Sequence, residues 1–295
     1  MQGVSRAMGA IKLVALIAST FFASHAAAHQ PVMDMAPRWE DGFGFQIRNE
    51  TRVSDELKNG SDDIPNPTDR ERFVNTTWLE GIYTFKREIR ATVKIPWVVQ
   101  HRDVPAGPGT RRLQGSGLGD VIFALPLRKY WNFQKSTMNI GLTPQVRVPT
   151  GSTSESDPLG DGSWDFGLSA SVSTESFRWY TLVDVFWWKN TDGVKNIDQG
   201  DQLGLDANLG YHVYHDNERN WGAFVMVDLE ARYEEGGQDV AGRTGGSRLT
   251  LGPILVGYWD NWMVRAEVKV PTWERVRGTQ FTRGPAVNVG LGVTF

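Results

Sequence analysis

Apolar side chains recur at every second position through most of this chain, a spacing typical of β-strands with one apolar and one polar face. In the clearest segment, polar or small residues separate the members of the apolar series Ile89, Ala91, Val93, Ile95, Trp97 and Val99. Twelve such segments, some of them with a less regular alternation, lie between residue 43 and Phe295. No segment of comparable length has the spacing of an amphipathic helix. The pattern predicts an all-β protein.

The connections between these segments alternate in length. The long ones, rich in Gly, Pro, Asp and Ser, are 54–71, 101–116, 150–163, 190–201, 235–246 and 271–282. The short ones lie near 86–88, 130–135, 175–177, 215–219 and 259–261. A soluble β-sandwich does not require this alternation, whereas an up-and-down antiparallel transmembrane β-barrel has short periplasmic turns and long external loops. We therefore predict a barrel of about twelve strands with both chain ends in the periplasm.

Aromatic residues lie beside the short connections and at the C-terminus. They are Phe85, Tyr130, Trp131, Phe133, Phe177, Trp179, Tyr180, Tyr214, Trp221, Tyr258, Trp259, Trp262 and Phe295. Aromatic girdles mark the interfaces of outer-membrane barrels, so we expect this set to form the periplasmic girdle. A terminal Phe295 after alternating apolar residues also resembles the signal that bacterial barrel assembly machinery binds.

The N-terminus has the features of a secretory signal. Basic residues precede an apolar stretch at 13–23, and small residues at 26–28 fit a cleavage site before His29. The predicted domains are a cleaved signal peptide at 1–28, a periplasmic segment at 29–42 and an outer-membrane barrel at 43–295. Removing Arg6 and Lys12 from the 31 basic residues leaves 29 against 34 acidic ones, so no basic footprint for nucleic acid is expected.

Composition excludes two further classes. The chain has no cysteine, so it has neither disulfides nor thiolate sites. A mean hydropathy of −0.36, without a long apolar run beyond the N-terminus, excludes a helical membrane protein.

If the apolar faces meet lipid, the opposite faces line a lumen. The predicted lumen-lining residues are Arg48, Glu50, Arg52, Glu80, Arg90, Lys94, Asp120, Arg128, Arg147, Asp165, Asp206, Asp228, Glu230, Arg232, Arg265, Glu267 and Lys269. Charges of both signs are costly in a dry interior, so either water fills the lumen or the charges pair across it. Since twelve strands fall between plugged small barrels and open porins, we expect a narrow, polar, partly obstructed passage.

Three short motifs follow one another along the chain. Gly117-Leu118-Gly119-Asp120 opens the fourth strand, Pro149-Thr150-Gly151 closes the fifth, and Gly162-Ser163-Trp164-Asp165 opens the sixth. Their order resembles the outer-membrane family named for the MetA pathway of phenol degradation. The resemblance implies an outer-membrane barrel of the kind often assigned to uptake of hydrophobic or aromatic compounds. Asp120 and Asp165 are motif positions, and the resemblance gives them no ligand-binding role.

The segment 29–42 lies outside that resemblance. After cleavage, the α-amine and imidazole of His29 could chelate Cu(II) or Ni(II), and Met33 and Met35 offer donors for Cu(I). The alternative is an extended terminal peptide without a ligand. A lipid-modifying hydrolase would need a His paired with a Ser, but no G-x-S-x-G occurs and no Ser is tied by spacing to His101, His212 or His215. No cofactor and no catalytic centre are predicted.

These observations favour a channel or transporter-like protein of the bacterial outer membrane for small molecules, aromatic or hydrophobic ones among them. Loops 101–116 and 150–163 are the predicted gates. The expected partners are outer-membrane lipid and lipopolysaccharide, the assembly machinery and a small solute. The alternative is a binding or structural barrel, for example one that captures metal through the segment containing His29, Met33 and Met35.

Overall fold

A computed structural model describes residues 36–37, 39–194, 197–216 and 218–295 of the chain. The strands within them are β1 (Gly42–Ser54), β2 (Leu57–Asn59), β3 (Asp62–Ile64), β4 (Arg72–Lys86), β5 (Ile89–Ala106), β6 (Gly109–Leu118), β7 (Val121–Ala124), β8 (Leu127–Asn132), β9 (Ser136–Val148), β10 (Asp165–Ser176), β11 (Trp179–Lys189), β12 (Gln202–Asp216), β13 (Trp221–Asp239), β14 (Gly242–Trp259), β15 (Trp262–Val276), β16 (Thr279–Phe281) and β17 (Ala286–Thr294). In this described part of the chain, no helix has the length and apolar character of a membrane span.

The main sheet closes on itself as an antiparallel barrel. Each wall strand pairs with its neighbours in sequence, and β17 pairs with β1 from Thr294 opposite Gly44 to Ala286 opposite Arg52. One wall position, between β5 and β9, is shared by β6, β7 and β8 in series. With these three taken together, the wall has twelve strands, which confirms the predicted up-and-down barrel.

The two ends of the barrel differ, as predicted. At one end the strands are joined by short turns such as 87–88 and 260–261, and both ends of the wall meet there: the Phe43 N–H donates to the Phe295 carbonyl at 3.0 Å. We call this the short-turn end and the opposite end the long-loop end. At the long-loop end, β16, β2 and β3 form a separate three-stranded sheet.

Two of the predicted long loops are instead extended hairpins. Segment 101–116 continues β5 and β6, and segment 235–246 continues β13 and β14. Beyond Val99, the outward positions of β5 are the polar residues His101 and Asp103. Water meets both faces of such a hairpin, so the apolar alternation disappears although the backbone pairing continues.

Side chains divide between the two faces as the period of two requires. Ile47, Leu79 and Val289 lie on the outer face, each about half exposed, whereas Glu80 and Asn288 point inward and are buried. The outer face of the wall strands is therefore the apolar surface of a transmembrane barrel.

The predicted aromatic girdle needs a correction. Most of its members are exposed near the short-turn end, but Tyr180 and Tyr258 are buried inside the barrel, and the Tyr130 hydroxyl accepts a hydrogen bond at 2.9 Å from the inward-facing Arg90. Adjacent residues of a strand point to opposite faces, so Tyr180 and Tyr258 turn inward because their neighbours Trp179 and Trp259 turn outward.

Candidate functional site

A polar cavity of about 300 Å³ lies inside the barrel. Ten of the seventeen inner-face residues predicted from the sequence line it: Glu80, Lys94, Arg128, Asp206, Asp228, Glu230, Arg232, Arg265, Glu267 and Lys269. They come from β4, β5, β8, β12, β13 and β15, so the closed sheet brings together residues that are remote in sequence. Asp184 of β11 also lines the cavity and is absent from that prediction.

One wall of the cavity holds a continuous chain of six alternating charges, which runs in order through Asp206, Arg232, Glu230, Lys269, Glu267 and Arg265. Their N···O separations are 2.7, 3.5, 2.9, 3.9 and 3.0 Å along that order. The side chains are at most 30% exposed, so each charge depends on its neighbours for compensation. The chain therefore gives the wall a polar surface with little net charge.

This charge chain crosses a whole strand. Glu230 lies on β13 and Lys269 on β15, and β14 runs between them. The β14 residues at the crossing are Thr250 and Gly252, which are small. A Cβ added to Gly252 would overlap the carbonyl oxygen of Val268, so only glycine fits this approach of β15. The small side chains of β14 thus leave room for the Lys269–Glu230 ion pair.

On another part of the wall, Glu80 is the centre of a second group. Arg48 Nη2 lies 3.0 Å and Lys94 Nζ 3.9 Å from its carboxylate oxygens. Near the long-loop end, Arg52 pairs with Glu50 at 3.1 Å and donates to the Gly284 carbonyl at 3.0 Å. These ion pairs therefore join residues of the same strand or of two adjacent strands.

Asp120 and Asp165, predicted for the lumen, do not line the cavity. The Asp120 carboxylate accepts the Gly151 N–H at 2.8 Å and packs against Gly160. Asp165 is fully buried, and Arg147 donates to it at 3.0 Å. The spacing in the sequence identifies the face of each of these positions, but both lie at strand ends that the loop at 149–164 covers.

That loop, residues 149–164, bends into the mouth of the barrel and is called the crossing loop below. Arg102, an inward-facing residue of β5, donates from Nε to Asp157 at 2.8 Å and from Nη1 to Asp239 of the β13–β14 hairpin at 2.6 Å. Gln100 Nε2 donates to the Pro158 carbonyl at 2.9 Å. One guanidinium therefore joins three separate segments above the cavity.

The described interior also contains an apolar cluster toward the short-turn end, which the sequence did not predict. Its buried members are Tyr180, Phe224, Met226, Ile254, Val256, Tyr258 and Met263. The signal is present in β14, where residues 253–259 are apolar, aromatic or small on both faces, which is why this strand alternates poorly. Apolar side chains on both faces of one strand indicate that lipid lies on one side and a dry interior on the other.

Beside this cluster, two histidines meet one tyrosine. His212 Nε2 and His215 Nδ1 lie 2.8 and 2.7 Å from the hydroxyl oxygen of Tyr258. His101, at the other end, contacts the Glu71 carboxylate at 3.0 Å. Among the described residues, no three or more His, Asp or Glu side chains form a group that could hold a metal ion. His29, Met33 and Met35, and the predicted signal peptide, lie outside the described residues.

At the long-loop end, an ion pair forms within a single hairpin. Asp103, on the outward face of the β5–β6 hairpin, accepts from Arg112 Nε at 2.8 Å and Nη2 at 3.0 Å. These hydrogen bonds, helped by the Glu71 N–H, hold the pKa of Asp103 below its ordinary value of 3.8 although partial burial opposes them. The hairpin thus carries a charged clasp outside the membrane-spanning part of the wall.

Comparison with known proteins gives the following matches. Residues 68–283 match a family described as "Putative MetA-pathway of phenol degradation". Among solved structures, the chain is similar to an outer membrane channel from Pseudomonas putida F1, with 14% identity, a TM-score of 0.69 and coverage of 91% of this chain and 100% of that one. It is also similar to the beta domain of the Bordetella autotransporter BrkA, with 10% identity, a TM-score of 0.45 and coverage of 86% and 100%.

No match was found among curated proteins. The first structural match has the same fold, that of a bacterial outer-membrane barrel, as predicted.

Proposed function

The chain belongs to the family described as "Putative MetA-pathway of phenol degradation", and from this premise we propose that it is an outer-membrane channel for small molecules, with neutral aromatic compounds as its solutes. The observation that carries the proposal is a polar cavity inside a closed transmembrane barrel. A chain that served only as a membrane anchor would gain nothing from burying charges there, because each buried charge must be compensated.

The balance of charge in the cavity favours neutral solutes. Six carboxylates and five cationic side chains line it, and most are paired with one another. Paired charges offer hydrogen bonds to a hydroxyl or amide group but attract neither cations nor anions strongly. A volume of about 300 Å³ is at the lower end of small-molecule sites.

The proposed path has three parts. A solute enters past the crossing loop, exchanges its hydration for hydrogen bonds to the cavity wall, and leaves beside the apolar cluster at the short-turn end. An aromatic ring can contact the side chains of Phe224 and Tyr258 during this last step. The two ends thus differ in chemistry, with polar contacts first and apolar contacts second.

The test is single-channel recording from the purified barrel in planar bilayers. We expect discrete conductance steps, and we expect benzamide to reduce the current more than cyclohexanecarboxamide, which has the same polar group without an aromatic ring. Barrel that shows no conductance, and no solute-dependent swelling of liposomes, would contradict the channel. Equal effects of the two amides would contradict the aromatic preference alone.

A further inference from the structure

Two histidines near the short-turn end point to one place although they are three residues apart. In a regular strand, such residues face opposite sides. The pairing of β12 with β13 shifts between His212 and Tyr214, so Val213 is an extra, bulged residue. As a result, His212 opposite Phe224 and His215 opposite Gly222 both face the interior. A bulge that re-aims a side chain in this way is a common feature of binding sites.

The rings around the histidines hold both imidazoles in place. His212 stacks on Phe224 with 4.0 Å between ring centroids and 6° between planes. Phe177 meets His215 edge-on at 5.6 Å. Together with Glu175, Ser176 and Tyr258, these residues line a small cavity of about 20 Å³, separate from the central one. The imidazoles are therefore preorganised around a space the size of one small occupant.

With both imidazoles neutral, one arrangement of protons satisfies these contacts. His212 Nδ1 lies 3.3 Å from the Phe177 carbonyl oxygen, which can only accept, so Nδ1 carries the proton and Nε2 presents its lone pair. The Tyr258 hydroxyl has one proton, which it donates to that Nε2, so His215 Nδ1 in turn donates to the hydroxyl oxygen. A backbone carbonyl that fixes the second nitrogen is the arrangement usual for metal-binding histidines.

We propose that His212 Nε2, His215 Nδ1 and the Tyr258 oxygen form a binding site for a divalent transition-metal ion, Cu²⁺ or Zn²⁺, near the short-turn end of the barrel. Two imidazoles and a phenol oxygen suit ions of this class and do not suit Ca²⁺ or Mg²⁺. The site shares no lining residue with the central cavity, and metal binding does not require conduction, although Phe224 and Tyr258 also border the proposed exit.

The geometry requires only a small adjustment. Metal–nitrogen and metal–oxygen bonds of about 2.0 Å with tetrahedral angles place the ligand atoms about 3.3 Å apart. The present N···O distances of 2.7 and 2.8 Å would thus widen by roughly half an ångström. For all three atoms to bind the ion, the His215 proton moves from Nδ1 to Nε2 and the Tyr258 proton is released, so binding as the phenolate liberates one proton. The Glu175 carboxylate in the same cavity supplies negative charge that favours the cation.

The test is titration of the full-length folded barrel in detergent with CuCl₂ or ZnCl₂ alone, followed by calorimetry and by electron paramagnetic resonance of the copper form. A His29→Ala background removes the other proposed copper ligand. On it we expect one ion per chain and nitrogen coupling in the spectrum, and we expect His212→Gln and His215→Gln to weaken binding about tenfold or more. The matched control is His101→Gln, which should bind like the background.

Binding that is as tight in both Gln variants as in the background, or that disappears with His29→Ala alone, would overturn the proposal. Tyr258→Phe keeps the ring but removes the oxygen, so it should weaken binding and abolish a phenolate-to-copper absorption band. Unchanged binding and an unchanged spectrum would exclude the phenol as a ligand.

If a Gln variant does not fold, the site can still be tested in the His29→Ala background. Zn²⁺ should then shield His212 and His215, but not His101, from diethyl pyrocarbonate, and unshielded His212 and His215 would contradict the site.

Discussion

At Gly252, the absence of a side chain allows a contact between two strands that flank β14. Its missing Cβ lets the carbonyl oxygen of Val268 approach β14, and this approach accompanies the ion pair between Lys269 and Glu230 over the same strand. The inner wall therefore depends on small residues as much as on charged ones.

We predict that Gly252→Ala destabilises the barrel by about 1–3 kcal/mol, because the new methyl group forces β14 and β15 apart. The matched control is Gly257→Ala on the same strand, where a Cβ meets nothing within 4 Å, and a change within about 0.5 kcal/mol is expected. The measurement is the denaturant midpoint of the heat-modifiable band in gel electrophoresis. Equal midpoints for the two variants would contradict the close approach at Gly252.

Lys269 is the shared cation of two buried carboxylates, Glu230 and Glu267. We predict that Lys269→Gln costs about 3–5 kcal/mol in stability, because those carboxylates lose their common partner. It should also shift the reversal potential in a KCl gradient toward cation selectivity.

The control for Lys269 is Lys189→Gln at the long-loop end. Lys189 pairs with Asp201 and its side chain is 54% exposed, so a stability change of only about 0–1 kcal/mol and no shift in reversal potential are expected. An unchanged reversal potential in Lys269→Gln would show that this charge does not act on permeating ions.

Two hairpins and the crossing loop contact one another over the mouth of the barrel. The β5–β6 hairpin supplies Arg102, the crossing loop Asp157 and the β13–β14 hairpin Asp239. Because these elements extend beyond the apolar part of the wall, their mutual contacts, and not lipid, hold them over the mouth.

We predict that Arg102→Gln releases the crossing loop and raises single-channel conductance. Removal of one partner of a buried ion pair costs about 3–5 kcal/mol, which shifts the equilibrium between the seated and the unseated loop by more than about a hundredfold toward the unseated form. Arg111→Gln at the exposed hairpin tip is the control and should leave conductance unchanged. A conductance of Arg102→Gln equal to that of the parent would show that the crossing loop does not limit flow.

The Asp103–Arg112 clasp predicts a pH effect within the same hairpin. The pKa of Asp103 is lowered chiefly by the Arg112 hydrogen bonds, so the clasp stabilises the hairpin at neutral pH and this contribution is lost as pH falls below 3.8. Hydrogen exchange of the hairpin amides, corrected for intrinsic rates, should accelerate between pH 5 and pH 3. Asp103→Asn should exchange fast at both values, and a parent without acceleration would contradict the clasp.

The closed barrel as a whole has two kinds of interior. Charged residues surround the central cavity, and the apolar cluster fills the described interior toward the short-turn end, where Met226 lies directly opposite Ile254. The cluster gives the barrel a dry core that a water-filled porin lacks, and it narrows the proposed exit.

We predict that Met226→Ala and Ile254→Ala each cost about 2–5 kcal/mol in stability and raise conductance, because they remove buried volume beside the exit. Val225→Ala, at the adjacent outward position, is the control and should leave conductance unchanged. If the inward variants destabilise the barrel without any rise in conductance, the cluster is a structural core and the exit lies elsewhere.

Much of this architecture follows from the chain alone. The number of wall strands, the face of each and the alternation of loop lengths all express one local rule, that successive side chains of a strand meet lipid and lumen in turn. The rule fails where the two environments become alike. The hairpins at 101–116 and 235–246 have water on both faces, so their sequences lack the apolar alternation that would predict strands. One end of β14 has apolar surroundings on both faces, so its sequence predicts neither the interior cluster nor the inward orientation of Tyr258.

Which side chains contact one another was decided only by the closure of the sheet. Lys269 and Glu230 are 39 residues apart, and Arg102 and Asp239 are 137 apart. Their contacts depend on strand register, on the bulges and on a glycine at the crossing, none of which a pattern of alternate residues specifies. The side-chain period therefore determines which way a residue faces, because strand geometry is local. What that residue touches depends on the pairing of the strands, because hydrogen bonding between them sets distances across the whole wall.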